Sequence, residues 1–283
     1  MKLLEEIFKT KILNYHALSG GSINQVYKVR TKDGVFCIKL NDANFSNNMF
    51  EAERKGLEIL SESSNFTIPS VIENGTAADF SYLTMAFIES ADKSSSFNAD
   101  FANRLANLHQ NHSDKFGLQF NNFIGPIPQL NSETTNWSDF YRDKRLMPMF
   151  EMAFAQNLLD QNDGKALLHF CTQIDNIFPI EKASLLHGDL WSGNYLIDSN
   201  GSPCLIDPAV YFGHREMDLS MMKLFGGFDD EIFEIYNDAY PLESGWRDRL
   251  KYCQLYPLLV HVVLFGGGYV AQVKRIIDIF RSH

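Results

Sequence analysis

The stretch at residues 185–207, LLHGDLWSGNYLIDSNGSPCLID, constrains this chain more than any other. Leu185 and Leu186 deliver the backbone to His187, Gly188 and Asp189, and Asn194 stands five residues after Asp189. Tyr195, Leu196 and Ile197 favour a strand, Asp198, Ser199, Asn200 and Gly201 favour a turn, and Cys204, Leu205 and Ile206 favour a strand again. The pattern predicts a loop carrying Asp189 and Asn194, a hairpin behind it, and Asp207 just past the second strand. A hairpin returns its two ends to one place, so Asn194 and Asp207 are expected to meet.

Mg²⁺ takes oxygen ligands and draws only one or two of them from protein when phosphates supply others. Asn194 and Asp207 can be those two, which leaves Asp189 to accept a proton from a substrate hydroxyl. Taken alone, Asp189 and Asn194 are ordinary turn residues. Three polar residues in this order, with a hairpin between them and apolar residues around them, are not. The Asp189-to-Asn194 interval equals that of the catalytic loop of phosphoryl-transfer enzymes of the kinase type, in which a metal-binding Asp follows on a later strand. Gly188 replaces the Arg of protein kinases, and Pro208 and Ala209 replace Phe and Gly after the second Asp. Both departures point to small-molecule kinases of that fold.

The N-terminal part supplies what such a site needs. Leu3, Leu4, Ile7 and Phe8 recur at helical spacing. Next come a strand, a glycine-rich turn at Gly20, Gly21 and Ser22, a second strand, a turn at Asp33 and Gly34, and a strand at 35–40 that carries Lys39. Glycines there let backbone close over phosphates, and a strand lysine reaches phosphate oxygens, so ATP is the expected nucleotide. Residues 50–60 form a helix with Phe50, Leu57 and Leu60 on its apolar side. Its acids Glu51 and Glu53 are candidates to pair with Lys39, and Glu53, one turn before Leu57, is preferred. Pro69, Ser70 and Val71 begin a strand that Glu73, Asn74 and Gly75 turn. Residues 81–88, SYLTMAFI, are a strand leading to a linker. Kinase-like proteins have such a strand before the linker between lobes, where backbone groups bond adenine, and by that alignment Ala86 and Ile88 would make those contacts, with Met85 at the back of the pocket.

Further on, Phe101, Leu105 and Leu108 define a helix over 97–109, residues 118–129 read as a loop, and Asn136 with Trp137 starts another helix. A helix over 164–178 leads into the central stretch, and residues 233–240, 246–261 and 270–280 read as packing helices. Asp218 is placed to brace the catalytic loop through backbone N–H groups. His214, Arg215 and Glu216 either face the substrate or form an ion-pair cluster. Trp191 is either a wall for the acceptor or an aromatic brace for the loop.

The chain has 35 acidic against 25 basic residues and a formal net charge of −10, so nucleic acid is not an expected partner. Cys37, Cys171, Cys204 and Cys253 lie in apolar stretches at no metal-ligand spacing. Reduced thiols in a cytoplasmic protein are expected rather than disulfides. Glu5 and Glu6 stand where a signal peptide needs an apolar run. The longest apolar run, Leu255–Phe265, contains Pro257 and His261 and falls short of the ~20 residues that span a bilayer, so no membrane partner is expected.

Several stretches together resemble the fructosamine kinases, or ketosamine kinases, which are relatives of aminoglycoside and choline phosphotransferases. They are LLHGDLWSGN at 185–194, DPAVYFGHREMDLSMMKLFGGF at 207–228, PLESGWRDRLKYCQLYPLLVHVVLFGGGY at 241–269, and NFIGPIPQLN at 122–131 with Trp137. The resemblance covers nearly the whole chain, and Trp191 and the run Gly213, His214, Arg215, Glu216 are its most specific marks. It implies an α+β, bilobal, protein-kinase-like fold. Residues 1–89 would form a small antiparallel β-sheet lobe with one main helix, and residues 90–283 a larger, mostly helical lobe. It also implies a monomer that uses ATP and Mg²⁺ to phosphorylate the sugar 3-hydroxyl of ketosamines, as small molecules or on glycated protein amines. The phosphorylated adduct then leaves the amine, which amounts to deglycation. Members of bacterial character are often better with ribulosamines or erythrulosamines than with fructosamines. Some relatives carry Cys where this chain has Ser22, so a thiol switch is not expected there. Two alternatives stand beside this reading: a related aminoglycoside- or choline-type phosphotransferase, and a catalytically inactive kinase-like protein that only binds nucleotide.

Overall fold

The computed structural model describes residues 1–18 and 24–281, and of residues 44–47 only the backbone. The chain begins with helix α1 (Lys2–Phe8) and strands β1 (Asn14–Ala17), β2 (Gln25–Thr31) and β3 (Gly34–Asp42). Helix α2 (Ala43–Ser63) follows, then β4 (Val71–Ala77) and β5 (Phe80–Ala86). These strands form one five-stranded sheet, order β1-β2-β3-β5-β4, antiparallel at every pairing.

Alternation along β3 decides what each face of the sheet does. Ile38 and Leu40 point to one side and pack with Leu4, Ile7, Ile12 and Tyr82 beneath α1. Cys37 points to the other side, into the cluster of Phe50, Leu57, Leu83 and Met85 that seats α2. Lys39 shares that second face, so the same two-residue period that builds the core also directs its ammonium at α2.

The second part opens with α3 (Phe97–His109), β6 (His112–Ser113), and a small hairpin of β7 (Asn122–Ile124) and β8 (Ile127–Gln129). Residues 118–129 are therefore not all loop, as their composition suggests. Gly125, at φ 56°, makes the tight return that pairs Ile124 with Ile127. Next are α4 (Trp137–Phe140), a π-helical turn (Tyr141–Leu146), α5 (Met147–Ala155), α6 (Gln161–Thr172) and α7 (Ile174–Ile177). Asn136 caps α4, its side chain accepting from the Asp139 N–H. The central stretch then runs as β9 (Ala183–Leu186), β10 (Tyr195–Ile197), β11 (Pro203–Leu205) and β12 (Tyr211–Gly213). The chain closes with α8 (Glu216–Phe225), α9 (Asp230–Ala239), α10 (Trp246–Cys253), α11 (Leu255–Phe265) and α12 (Gly268–Ile277).

Two apolar cores hold this larger lobe. One joins α3, α8, α9 and α10 through Phe101, Leu105, Leu219, Phe233 and Leu250. The other surrounds α11, which is apolar nearly all round because its neighbours cover it on most sides. Pro257 lies in the first turn of α11, where a missing N–H removes no helical hydrogen bond. No helix among the described residues is long and apolar enough to cross a membrane.

Two further boundaries differ from expectation. Glu73, Asn74 and Gly75 continue β4 instead of ending it, because Tyr82 on β5 lies across Gly75 and occupies the space of a side chain. The turn falls after Ala77 instead, with Ala78 at φ 50°. The helix expected over 246–261 breaks at Gln254, which ends α10 and opens α11.

Candidate active site

Strands β9 and β12 pair antiparallel, with Leu186 opposite Tyr211, which lays the 187–194 loop beside residues 207–210. The Ala209 N–H donates to the His187 carbonyl at 2.9 Å. Strands β10 and β11 form the expected hairpin, Tyr195 opposite Leu205, and the Ile206 N–H reaches the Asn194 carbonyl at 3.0 Å. Asn194 and Asp207 thus meet as the hairpin requires.

Asp218, the third residue of α8, sets the loop. Its carboxylate accepts the N–H of His187 at 2.8 Å and of Gly188 at 2.9 Å, and also faces His109 Nε2 at 3.2 Å. Gly188 has φ 83°, and a Cβ there would lie 2.0 Å from the Ala209 carbonyl oxygen. Only glycine fits a left-handed turn against another backbone at that distance. His187 is fully enclosed, its Nε2 3.0 Å from the Ile206 carbonyl, and burial holds its pKa below the ordinary value.

Two sets of side chains converge on one cleft between the lobes. On the sheet side, Lys39 Nζ lies 2.6 Å from Glu53 Oε1 and also contacts Asp207 Oδ1. Of the two acids considered on α2, Glu53 is the partner, and Glu51 instead pairs with Arg54. Burial alone would push Lys39 down, but Asp207 and Glu53 reverse that and hold its ammonium above its ordinary pKa. On the loop side, Asn194 Nδ2 donates to the Asp189 carbonyl at 2.8 Å and to Asp189 Oδ2 at 2.9 Å. Burial raises Asp189 to about 7, and the Asn194 hydrogen bond opposes this.

The donor set fits a hard divalent cation. Asn194 Nδ2 also lies 3.5 Å from the Asp207 carbonyl, and with the amide nitrogen turned to these oxygens, Asn194 Oδ1 has no protein donor among the described residues. Asp207 gives one oxygen to Lys39, keeps 42% of its side chain exposed, and sits at φ 54°, a left-handed conformation that Asp tolerates better than most residues. Among the described residues no group of three or more His, Cys, Asp or Glu could hold a metal alone. A cation at Asn194 and Asp207 would therefore complete its shell from phosphate and water.

The cleft has two compartments. One, of about 210 Å³, is lined by Leu18, Val26, Met85, Ala86, Ile88 and Leu196, among others, and has Lys39 and Asp207 at its inner end. The Ala86 N–H is engaged with the Ser70 carbonyl, and the Phe87 N–H with that of Val35. The Ile88 N–H meets no backbone acceptor among the described residues. The other compartment, of about 180 Å³, holds Asp189, Trp191 and Asn194 against Phe123 and Gly125 of the β7–β8 hairpin. Trp191 is 38% exposed; its ring lies over Gly193, where a Cβ would come within 2.2 Å of the indole, and meets Phe225 edge-on at 6.4 Å.

His214, Arg215 and Glu216 lie outside both compartments, which corrects the substrate-facing expectation. Arg215 pairs with Glu181 at 2.8 Å and stacks on Tyr240, Glu216 pairs with Arg249 at 2.6 Å, and His214 packs against Trp137 and Phe178. Each is buried, and charges so enclosed must find partners inside the protein. Gly20, Gly21 and Ser22 lie outside the described residues. Phe123 and the hairpin that carries it escaped the sequence reading, because a stretch rich in Asn, Gly and Pro carries no strand signal.

A sheet lobe with a Lys–Glu pair, a helical lobe with an Asp–Asn loop and a second Asp beside that lysine, and a cleft between them define a kinase-like small-molecule phosphotransferase. Solved aminoglycoside phosphotransferases share this fold: one in ternary complex with AMP-PNP and hygromycin B has TM-score 0.64 over 98% of this chain and 97% of its own, at 16% identity. The fructosamine kinase family model matches residues 2–282, and the chain belongs to that family. It is 36% identical to a probable ketoamine kinase of Enterococcus faecium, over 92% of this chain and 93% of the relative. It is 32% identical to the chloroplastic protein-ribulosamine 3-kinase of Arabidopsis thaliana, over 98% and 85%. A crystal structure of a proposed fructosamine-3-kinase from Thermobifida fusca superposes with TM-score 0.86 at 30% identity, covering 98% and 96%.

Proposed function

We propose that this enzyme transfers the γ-phosphoryl group of ATP to the sugar 3-hydroxyl of a ketosamine, a fructosamine, ribulosamine or erythrulosamine adduct. The observation that carries this reading is the convergence of Lys39, Glu53 and Asp207 with Asp189 and Asn194 on one cleft, in a chain of the fructosamine kinase family.

In this reading adenine lies in the compartment of Val26, Met85 and Leu196 and bonds to the Ile88 N–H and the Ala86 carbonyl. Lys39, held by Glu53, reaches the phosphates. Mg²⁺, when bound, neutralises phosphate charge and aligns the γ-phosphoryl group, and Asn194 and Asp207 would hold it. The acceptor occupies the second compartment with Trp191 and Phe123 as its walls. Asp189 orients the 3-hydroxyl. As the sugar O–P bond forms and the bond to ADP breaks, Asp189 takes the hydroxyl proton. An aliphatic alcohol is far less acidic than a carboxylic acid, so this proton moves late. Such positioning by a base contributes about 10²–10⁴-fold. Removal of water by the cleft strengthens the electrostatic terms, which carry more.

Residues 1–89 act as the nucleotide lobe and residues 90–283 as the acceptor lobe. Four free thiols fit a cytoplasmic setting. The acceptor amine is free or part of a glycated protein.

The test is ATP consumption with Mg²⁺ and a lysine ribulosamine or fructosamine, beside Asp189→Ala. Turnover that collapses in the variant supports the reading. Nucleotide binding without turnover of either sugar would overturn the substrate, and equal turnover by both proteins would overturn the role of Asp189.

A further inference from the structure

The segment after Asp207 is held by a buried polar network that the reaction itself does not use. Gln129, at the end of β8, donates from Nε2 to the Ala209 carbonyl at 3.1 Å and to Asn122 Oδ1 at 2.8 Å. Asn122, at the start of β7, donates to the Val210 carbonyl at 2.8 Å. Tyr256 of α11 donates its hydroxyl to Gln129 Oε1 at 2.7 Å, which fixes the orientation of that amide. Asn131 donates to Asn122 Oδ1 at 2.8 Å, and Arg145 in turn donates to Asn131 Oδ1 at 2.8 Å while stacking on Tyr211. All of these side chains are buried.

The network grips one place. The Ala209 carbonyl that receives Gln129 is the same oxygen that abuts Gly188, next to Asp189. Two residues before Ala209 stands Asp207, in a left-handed conformation that its surroundings must maintain. From the other lobe, α2 lies close over the same segment: a Cβ on Gly56 would lie 3.2 Å from Pro208 and 3.6 Å from Val210. Residues 207–210 are thus clamped between the helix that carries Glu53, the loop that carries Asp189, and the amides of the β7–β8 hairpin. Buried amides of this kind would be costly to retain if packing were their only task, since each must be fully paired.

We propose that Gln129, supported by Asn122, is a positioning residue: by holding the Ala209 and Val210 carbonyls it fixes Asp207 relative to Asp189, and so sets the alignment of phosphoryl donor and acceptor. The proposal rests on the phosphotransfer reading, though not on which sugar accepts. Displacement of a reacting group by about an ångström costs on the order of 10²-fold in rate.

The test compares Gln129→Met with Tyr256→Phe. The first removes both Nε2 donations at nearly constant volume. The second removes only the bond to Oε1 and leaves the Ala209 contact in place. Both are expected to lower the thermal midpoint. Gln129→Met is expected to lose at least about tenfold in kcat, with KM for ATP and for the ketosamine within about threefold, whereas Tyr256→Phe keeps kcat within about threefold. Intrinsic hydrolysis of ATP is measured on the same proteins, since water as acceptor needs the same alignment. Should wild type hydrolyse ATP but phosphorylate no ketosamine, the sugar assignment fails and the hydrolysis rates still decide the role of Gln129. Should Gln129→Met not fold, Asn122→Ala replaces it, because it removes the donation to the Val210 carbonyl; Asn122 also lines the acceptor compartment, so its loss of kcat counts for positioning only with KM for the ketosamine within about threefold, and a larger rise in KM counts against it. Loss of kcat in the Gln129 or Asn122 variant alone supports positioning. Retention of kcat in that variant, or equal loss in Tyr256→Phe, overturns it.

Discussion

Asn194 Nδ2 donates to both the carbonyl and the carboxylate of Asp189, at 2.8 and 2.9 Å, so one amide joins the proposed proton acceptor to the proposed metal position. The amide nitrogen steadies the Asp189 carboxylate, and in the proposed reaction its oxygen is left for a cation. Asp189 is half-buried at the wall of the compartment that holds Trp191, and burial raises it to about 7.

Asp189→Asn keeps the volume and removes the proton acceptor. Turnover of a ketosamine is expected to fall by about 10²–10⁴-fold, while ADP affinity, measured by calorimetry, stays near that of wild type. A parallel loss of nucleotide affinity would mean that the residue shapes the cleft instead of serving the acceptor.

Lys39 has two carboxylate partners, so the two halves of its contact are separable. Lys39→Met removes the charge proposed to meet the phosphates and is expected to lower kcat by about 10²–10³-fold, as loss of one preorganised donor does. Glu53→Gln leaves Lys39 held by Asp207 and is expected to cost less. If Glu53→Gln proved the more damaging of the two in steady-state assays, Lys39 would not be the phosphate ligand.

Asp218 serves two buried backbone N–H groups of the catalytic loop. Asp218→Asn can present its amide nitrogen to one of them and leave that donor unpaired, at a cost of about 1–3 kcal/mol. Denaturant unfolding measures this as a lower midpoint with an unchanged slope. Gly188→Ala meets the Ala209 carbonyl oxygen and an unfavourable φ together, so soluble, folded protein is not expected from it. Recovery of active Gly188→Ala enzyme would refute the close approach.

His214 is enclosed, and burial depresses its pKa below the ordinary 6.5, although Glu216 and Glu181 oppose this. Above 6.5 neither the folded nor the unfolded protein protonates it, and stability is whole. As pH falls below 6.5 the unfolded chain binds the proton first, so stability declines toward the lower, folded value. The unfolding midpoint is expected to drop between pH 7.5 and 5.5, with a shallower slope for His214→Gln. An identical slope in the variant would assign the pH dependence to other groups, with His187 the first to examine.

The order of polar residues at 187–207 was legible because a hairpin is a local object: turn residues between two β-prone runs bring Asn194 to Asp207 without help from the rest of the chain. Lys39 and Glu53 were legible for a similar reason, since the strand and helix periods each state which face meets the core. The resemblance supplied the lobes, and the family match agrees with it.

What sequence alone determined was therefore local: period, turn chemistry, and which polar residues gather around the 187–207 stretch. Tertiary structure decided the rest. Arg215 and Glu216 read equally well as ligands or as ion pairs until Glu181 and Arg249, distant in the chain, were seen to complete their charges, and His214 until Trp137 and Phe178 were seen to enclose it. Residues 122–129 carry little strand propensity and form a hairpin because Val210, Ala209 and Tyr256 satisfy the side chains at its two ends. A buried polar group is decided by the partners that enclose it, and those partners come from anywhere along the chain.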